Sequence, residues 1–230
     1  VYVIPTNRPP RRECWPDRVF GSGQAKWQAI VAEVAEQHAL GRPVLIGTRS
    51  IDKSELLSAL LIEAGIEHAV LNARRHEEEA KIVASAGELG KVTVATNMAG
   101  RGTDIKLGAG VRELGGLHVI CTELHESARI DRQLEGRCAR QGDPGSFRQF
   151  MALDDDIIRA AHGPRVAARY ERIGTDSPGS CNRFAHMLRA AQAKIESQHY
   201  RQRRLLLYHE KERRKNQLQM GQDPYLDATS

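Results

Sequence analysis

The feature that most restricts this 230-residue chain is an alternation between short unbroken apolar runs and stretches with apolar residues at three- and four-residue intervals. Over residues 24–40, Trp27, Ile30, Val31, Val34 and Ala35 recur at helical spacing, and Gly41 closes the pattern. Val44–Thr48 reads as a strand, 53–64 as a helix closed by Gly65, 68–71 as a strand and 76–85 as a polar helix. Val92–Thr96 and Leu117–Cys121 are two more strands, and a helix over 127–141 and a strand over 147–153 complete the series. Strands without polar alternation are buried on both faces, and helices between them make parallel connections. The predicted fold is α/β, a doubly wound parallel sheet.

Beyond Asp154, Asp155 and Asp156 the character changes to a short helix, a Gly/Pro/Ser-rich stretch over 174–180, and strong helix formers over 184–220. Phe184, Leu188, Ala191 and Ile195 keep one apolar face, but the pattern weakens to Leu205, Leu206 and Tyr208. That helix is too polar to bury itself and is expected to pack on another domain. At the other end, Pro5, Pro9 and Pro10 disfavour regular structure, so the start of the chain reads as an extended connector. The expected organisation is a connector over 1–22, a doubly wound α/β domain over 23–160, a linker over 161–183 and a helical segment over 184–230. A start at Val1 suggests a piece of a longer protein.

With 40% hydrophobic and 27% charged residues the composition is that of a globular protein, not a disordered or collagen-like one. No apolar run approaches the roughly 18 residues of a membrane span, which points to the cytoplasm. Cys14, Cys121, Cys138 and Cys181 are widely spaced without a C-x-x-C pair, so they are expected to be reduced thiols. No metal site is expected, and His118 and His125 read as hydrogen-bonding side chains at strand ends. The net charge of +5 is concentrated between Arg183 and Lys215, where ten Lys/Arg face three acids. Such a stripe suits nucleic acid, an anionic membrane surface or an acidic partner, or is a solvated helix face.

Ligands of open parallel sheets bind beyond the carboxyl ends of the strands, which draws attention to two segments. In Thr96-Asn97-Met98-Ala99-Gly100-Arg101-Gly102-Thr103-Asp104 the glycines let backbone approach a ligand, and Asp104 can accept a hydroxyl such as that of a ribose. The same string also suits a tight turn with a capping aspartate. In the second segment Gln133, Arg137 and Arg140 fall on one stripe of the expected helix, with Ile130, Leu134 and Cys138 as its anchoring stripe. Two guanidinium groups on rigid backbone suit a phosphoryl group, and a surface salt-bridge helix is the other reading. No G-x-x-x-x-G-K-[ST] loop occurs in the chain, so its arginines describe the far wall of a nucleotide cleft whose near wall is supplied elsewhere.

Several strings together carry a specific resemblance. VIPTNRP (3–9), Leu71-Asn72-Ala73, ATNMAGRGTDI (95–105), GGLHVI (115–120), His125-Glu126-Ser127 and RQGDPGS (140–146) resemble SecA, the bacterial preprotein translocase ATPase, from residue 1 to about 208. DEAD-box helicases share the arginine helix without carrying these strings together. The resemblance implies a RecA-like, helicase-type second motor domain, with the start of the helical scaffold as a truncated C-terminal appendage. ATP and magnesium are the implied cofactors, with magnesium held mainly by a first domain outside this chain. Arg137 and Arg140 are implied as arginine fingers, and Gly102, Asp104, Gln133 and Asp143 as nucleotide contacts.

The resemblance further implies a parent ATPase at the inner face of the bacterial plasma membrane, with preprotein and a translocation channel as partners. The isolated chain is expected to be inactive. Where the family usually has a glycine and an arginine in the finger motif, this chain has Ala139 and Glu135. A degenerate nucleotide-binding or regulatory module is therefore a competing reading. A nucleic-acid remodeller is a third, disfavoured because the basic segment lacks interleaved aromatics beyond Tyr200 and Tyr208.

Overall fold

A computed structural model describes residues 2, 4, 6–71, 82–96, 104–176 and 180–220. The described strands are β1 (Arg11–Cys14), β2 (Arg18–Phe20), β3 (Val44–Thr48), β4 (Ala69–Leu71), β5 (Val92–Thr96), β6 (Leu117–Cys121) and β7 (Pro144–Ala152). They form a parallel sheet in the order β1-β7-β6-β3-β5-β4, with β2 also pairing with β7. Every residue of β3, β5 and β6 is buried, as expected of apolar runs covered on both faces.

Helices α1 (Gly23–Ala39) and α2 (Ile51–Glu63) cover one face, where Ile30, Val34, Leu57 and Leu61 pack on Val44, Ile46, Val92, Val94, Ile120 and Phe150. On the other face, helix α3 (Ala128–Glu135) and the segment around Ile105 and Leu107 lie over Leu45, Leu117, Val119 and Phe147. A third apolar cluster joins β7 to α4 (Asp156–His162), α5 (Pro164–Asp176) and the first half of the 35-residue α6 (Ala185–Gln219) through Leu153, Ile157, Ile158, Leu188, Ala191 and Ile195.

The structure revises three sequence expectations. Arg11–Cys14 and Arg18–Phe20, inside the expected connector, are strands on the edge of β7, separated by Pro16. Proline cannot donate to a ladder, so the edge breaks there, and the Trp15 N–H still reaches the Phe147 carbonyl at 2.8 Å. Within 161–183, expected as a linker, α5 is a regular helix opened by Pro164, a residue suited to the first helical turn. It packs so closely that a Cβ on Gly21 would lie 2.3 Å from the Gly174 carbonyl oxygen. Finally, the expected helix over 127–141 ends at Glu135. The polar helix expected over 76–85 is described only from residue 82 onward.

The buried face of α1 carries Lys26, Glu33 and Gln37 beside Ile30 and Val34, and each polar group has a partner. Lys26 pairs with buried Asp155, and Gln37 accepts from Arg42 at 3.0 Å. Glu33 Oε1 faces His118 Nε2 at 3.0 Å, and Glu33 Oε2 accepts from Arg148 at 2.5 Å. His118 Nδ1 faces Ser146 Oγ at 2.7 Å, and Trp15 stacks beside the His118 ring and under the Arg148 guanidinium. Burial alone would raise the Glu33 carboxyl, but the hydrogen bonds of His118 and Arg148 outweigh it and hold the group below the usual carboxylate value. Burial pulls His118 below its usual value despite Glu33, which favours the neutral imidazole. All four cysteines are free, and burial pushes the Cys121 and Cys138 thiols up.

Candidate functional site

The candidate site is built from the end of α3 and the turn that feeds β7. Leu134 seats the helix on the sheet: a Cβ on Gly47 of β3 would lie 2.0 Å from Leu134 Cδ2. Gly136 caps α3, its N–H reaching the Arg132 carbonyl at 2.9 Å. Arg137 therefore stands in the turn beyond the cap, and Arg140 follows Ala139, whose φ of 55° is left-handed. The helix on which Gln133, Arg137 and Arg140 were expected to form one stripe thus stops short of both arginines, and Gln133 is exposed on it. The chain must leave the helix and turn into β7 within a few residues, and left-handed backbone at Ala139, Gln141 and Gly142 makes that turn.

The arginine turn also lies where the sequence reading did not place it. It precedes β7, and Gly116 at the start of β6 is pressed against Pro144, with a Cβ there only 2.0 Å from the Pro144 carbonyl oxygen. The turn thus sits toward the amino ends of β6 and β7, beside the sheet face that α3 covers, not at the carboxyl rim.

Within it, the structure brings Arg140 and Asp104 together: Arg140 Nη1 meets Asp104 Oδ1 at 2.8 Å, and Arg140 Nε donates to the Gly136 carbonyl at 2.8 Å. A guanidinium at a helix C-terminus satisfies an orphan carbonyl and complements the negative end of the helix dipole. Asp143 is held at 2.9 Å by Arg112. Gly102 and most of its loop lie outside the described residues.

Two further arginines, not assigned a role from the sequence, hold the turn from the N-terminal segment. Arg8 donates to the Gln141 carbonyl at 3.2 Å, and Arg12 donates to the Cys138 carbonyl at 3.3 Å. Arg8 lies in the VIPTNRP string, so its position was signalled although its role was not. Burial pushes the Glu135 carboxyl above its usual range against the pull of Arg12. The donor set of the turn is guanidinium, which suits anionic oxygens such as those of a phosphate. Among the described residues no group of three or more His, Cys, Asp or Glu is placed to hold a metal ion.

The family model described as the SecA P-loop domain matches residues 9–112 and 109–177. The chain belongs to the SecA family. It is 61% identical over 231 residues to protein translocase subunit SecA 2 of Rhodopirellula baltica, covering 99% of this chain and 35% of that protein. It is 50% identical over 209 residues to protein translocase subunit SecA of Nitratidesulfovibrio vulgaris, covering 90% of this chain and 25% of that protein. The chain thus spans between a quarter and little more than a third of the length of these relatives. It also superposes on the E. coli DEAD-box protein SrmB with a TM-score of 0.49 at 20% identity, covering 72% of this chain and 87% of that one. The parallel sheet with its helices is the RecA-like α/β fold expected, extended by a long C-terminal helix. Among the described residues no helix is long and apolar enough to cross a membrane.

Proposed function

We propose that this chain is the second nucleotide-binding half of a SecA-type translocation ATPase, in which Arg137 and Arg140 face the phosphates of ATP bound against another domain. The observation that carries the reading is the pairing of Arg140 with Asp104, which ties the arginine turn to the end of the glycine loop. Arg140 is fixed by its bonds to Gly136 and Asp104, so little reorganisation is needed when charge builds up on the phosphoryl oxygens. Bound ATP supplies the phosphoryl group whose transfer to water powers the motor. Arg137 and Arg140 neutralise charge on its oxygens, Asp104 and Gln133 orient and bind, and Asp143 and Gly102 complete the contact. The domain division is read as a motor domain that takes in the edge strands at 11–20 and runs to about 160, followed by the helix at 164–176 and a scaffold segment from 184 onward.

On this reading the near wall of the cleft, with the P-loop lysine and most magnesium ligands, comes from a first RecA-like domain of the same polypeptide. Preprotein and a translocation channel are its partners, and its station is the inner face of the plasma membrane. The test is steady-state ATP hydrolysis by the full-length polypeptide, wild type beside Arg137→Ala and Arg140→Ala, with the 230-residue chain alone as a further sample. Activity lost in both variants and missing from the isolated chain supports a split site. Variants that turn over like wild type sink it. A second reading, a nucleotide-binding regulator without turnover, draws on left-handed Ala139 and on Glu135 beside the turn, and full-length protein that binds ATP without hydrolysing it would favour that reading.

A further inference from the structure

The long helix α6 touches the arginine helix at its beginning. Gln192 and Glu196 are four residues apart and so lie on one stripe of α6. Buried Gln192 donates from Nε2 to the His125 carbonyl at 2.7 Å and to Asp131 Oδ2 at 2.5 Å. Asp131, in the first turn of α3, also accepts from the His125 N–H at 3.1 Å and faces His125 Nδ1 at 2.5 Å. Glu196 Oε1 accepts from Ser127 Oγ at 2.9 Å and from the Ala128 N–H at 2.7 Å.

Ser127 occupies the N-cap position of α3, yet its side chain makes no capping bond of its own. Its hydroxyl is turned to Glu196. The first turn of α3 is therefore capped in trans by a carboxylate 68 residues away, whose charge faces the positive end of the helix dipole. Helix α3 is only eight residues long, and Gly136, Arg137 and Arg140 hang from its far end. A helix this short has little stability of its own, so what fixes its start fixes the arginines at its end.

We propose that Glu196, supported by Gln192, is a positioning residue for the arginine turn: the long helix caps the arginine helix and sets where Arg137 and Arg140 stand. The inference rests on the nucleotide reading above. Displacing α6 at this point changes the cap and, with it, how the guanidinium groups are presented.

The experiment is ATP hydrolysis by the full-length protein carrying Glu196→Ala. Its kcat is expected to fall about fivefold, the scale of one lost cap, with KM for ATP within about twofold of wild type. Arg189→Lys is the control: Arg189 Nε and Nη2 both donate from the same helix to Asp17 Oδ2, at 3.1 and 2.6 Å, and a lysine there keeps the charge that acts on Glu135 at the end of α3, so that variant is expected to lower Tm and keep kcat. A merely structural Glu196 would behave like Arg189, and a wild-type kcat in Glu196→Ala overturns the proposal. Should Glu196→Ala not fold, Glu196→Gln decides, with a fall of about twofold expected from losing the charge and a wild-type kcat refuting the cap. Arg140→Ala, assayed alongside, separates the two failures. Full turnover there sinks the nucleotide reading and the cap with it, whereas a dead Arg140→Ala beside an unslowed Glu196→Ala sinks the cap alone.

Discussion

Arg140 and Asp104 lie 36 residues apart in sequence and 2.8 Å apart in space, and the same guanidinium that meets Asp104 also closes the C-terminus of α3 through the Gly136 carbonyl. One side chain thus joins two segments that reach the site from different strands. The two acceptors are reached from different nitrogens of one rigid fork, Nε and Nη1, a geometry that the single nitrogen of a lysine does not reproduce. Arg140→Lys is therefore expected to behave as a loss, not as a conservative exchange. In the full-length protein its kcat for ATP hydrolysis should fall at least tenfold, measured at saturating ATP.

Ala139 adopts φ 55° and ψ 41°, a left-handed conformation that costs a residue with a Cβ about 1–2 kcal/mol. Ala139→Gly removes that strain but adds entropy to the unfolded chain, for a net gain of about 0.5–1 kcal/mol. A rise in the denaturation midpoint checks it. An unchanged or lower midpoint would mean that the turn, and not the residue, relaxes.

Gly116 has the opposite character. Its φ is +73°, and an added Cβ would sit 2.0 Å from the backbone oxygen of Pro144. Backbone in a packed sheet cannot withdraw as a flexible side chain can. Gly116→Ala should cost about 3 kcal/mol or more and push β6 away from the start of β7, seen as early chemical denaturation.

The buried Glu33 cluster predicts a pH dependence. The carboxyl is held below the ordinary glutamate value of 4.5, so its contribution to stability is full above that pH and is lost as pH falls through the lowered folded value. Glu33→Gln leaves Arg148 without its buried counter-charge and should cost about 2–4 kcal/mol at pH 7. The gap between variant and wild type should close under acid, when the wild-type carboxylate is itself protonated. A gap independent of pH would mean that packing, not charge, holds the cluster.

Asp143 and Arg112 form a pair at 2.9 Å in which Arg112 is largely exposed. Breaking it from either side should cost less than about 1 kcal/mol of stability. In the full-length protein, however, Asp143→Ala should weaken ATP binding, and Arg112→Ala should weaken it less. Equal and negligible effects of both on the dissociation constant would remove Asp143 from the site.

The sheet was legible where burial alone decides structure. Val44–Thr48, Val92–Thr96 and Leu117–Cys121 are mostly apolar, are buried on both faces and occur where the pattern put them. Arg11–Cys14 was not legible, because an edge strand with exposed Arg11, Glu13 and Cys14 has no apolar period, and its evidence lies in β7, 133 residues further on. The arginine turn was half legible. Residue types and region were readable, but helical spacing projected through Gly136 gave the wrong geometry, since the path from α3 into β7 is set by tertiary packing of Cys138 against Gly145. Glu196 carried a faint signal as one of three acids in a basic stretch, and its capping role depends on a contact that sequence spacing does not encode.

The pairing of β1 and β2 with β7 has a consequence for how the polypeptide is made. Strands β1 and β2 find their ladder partner only when Pro144–Ala152 has emerged from the ribosome, so this edge of the sheet is assembled late although its sequence precedes that of the other strands of the sheet. Until then Arg8 and Arg12 have no turn to hold, and the turn gains its last support later still, when Glu196 reaches the start of α3.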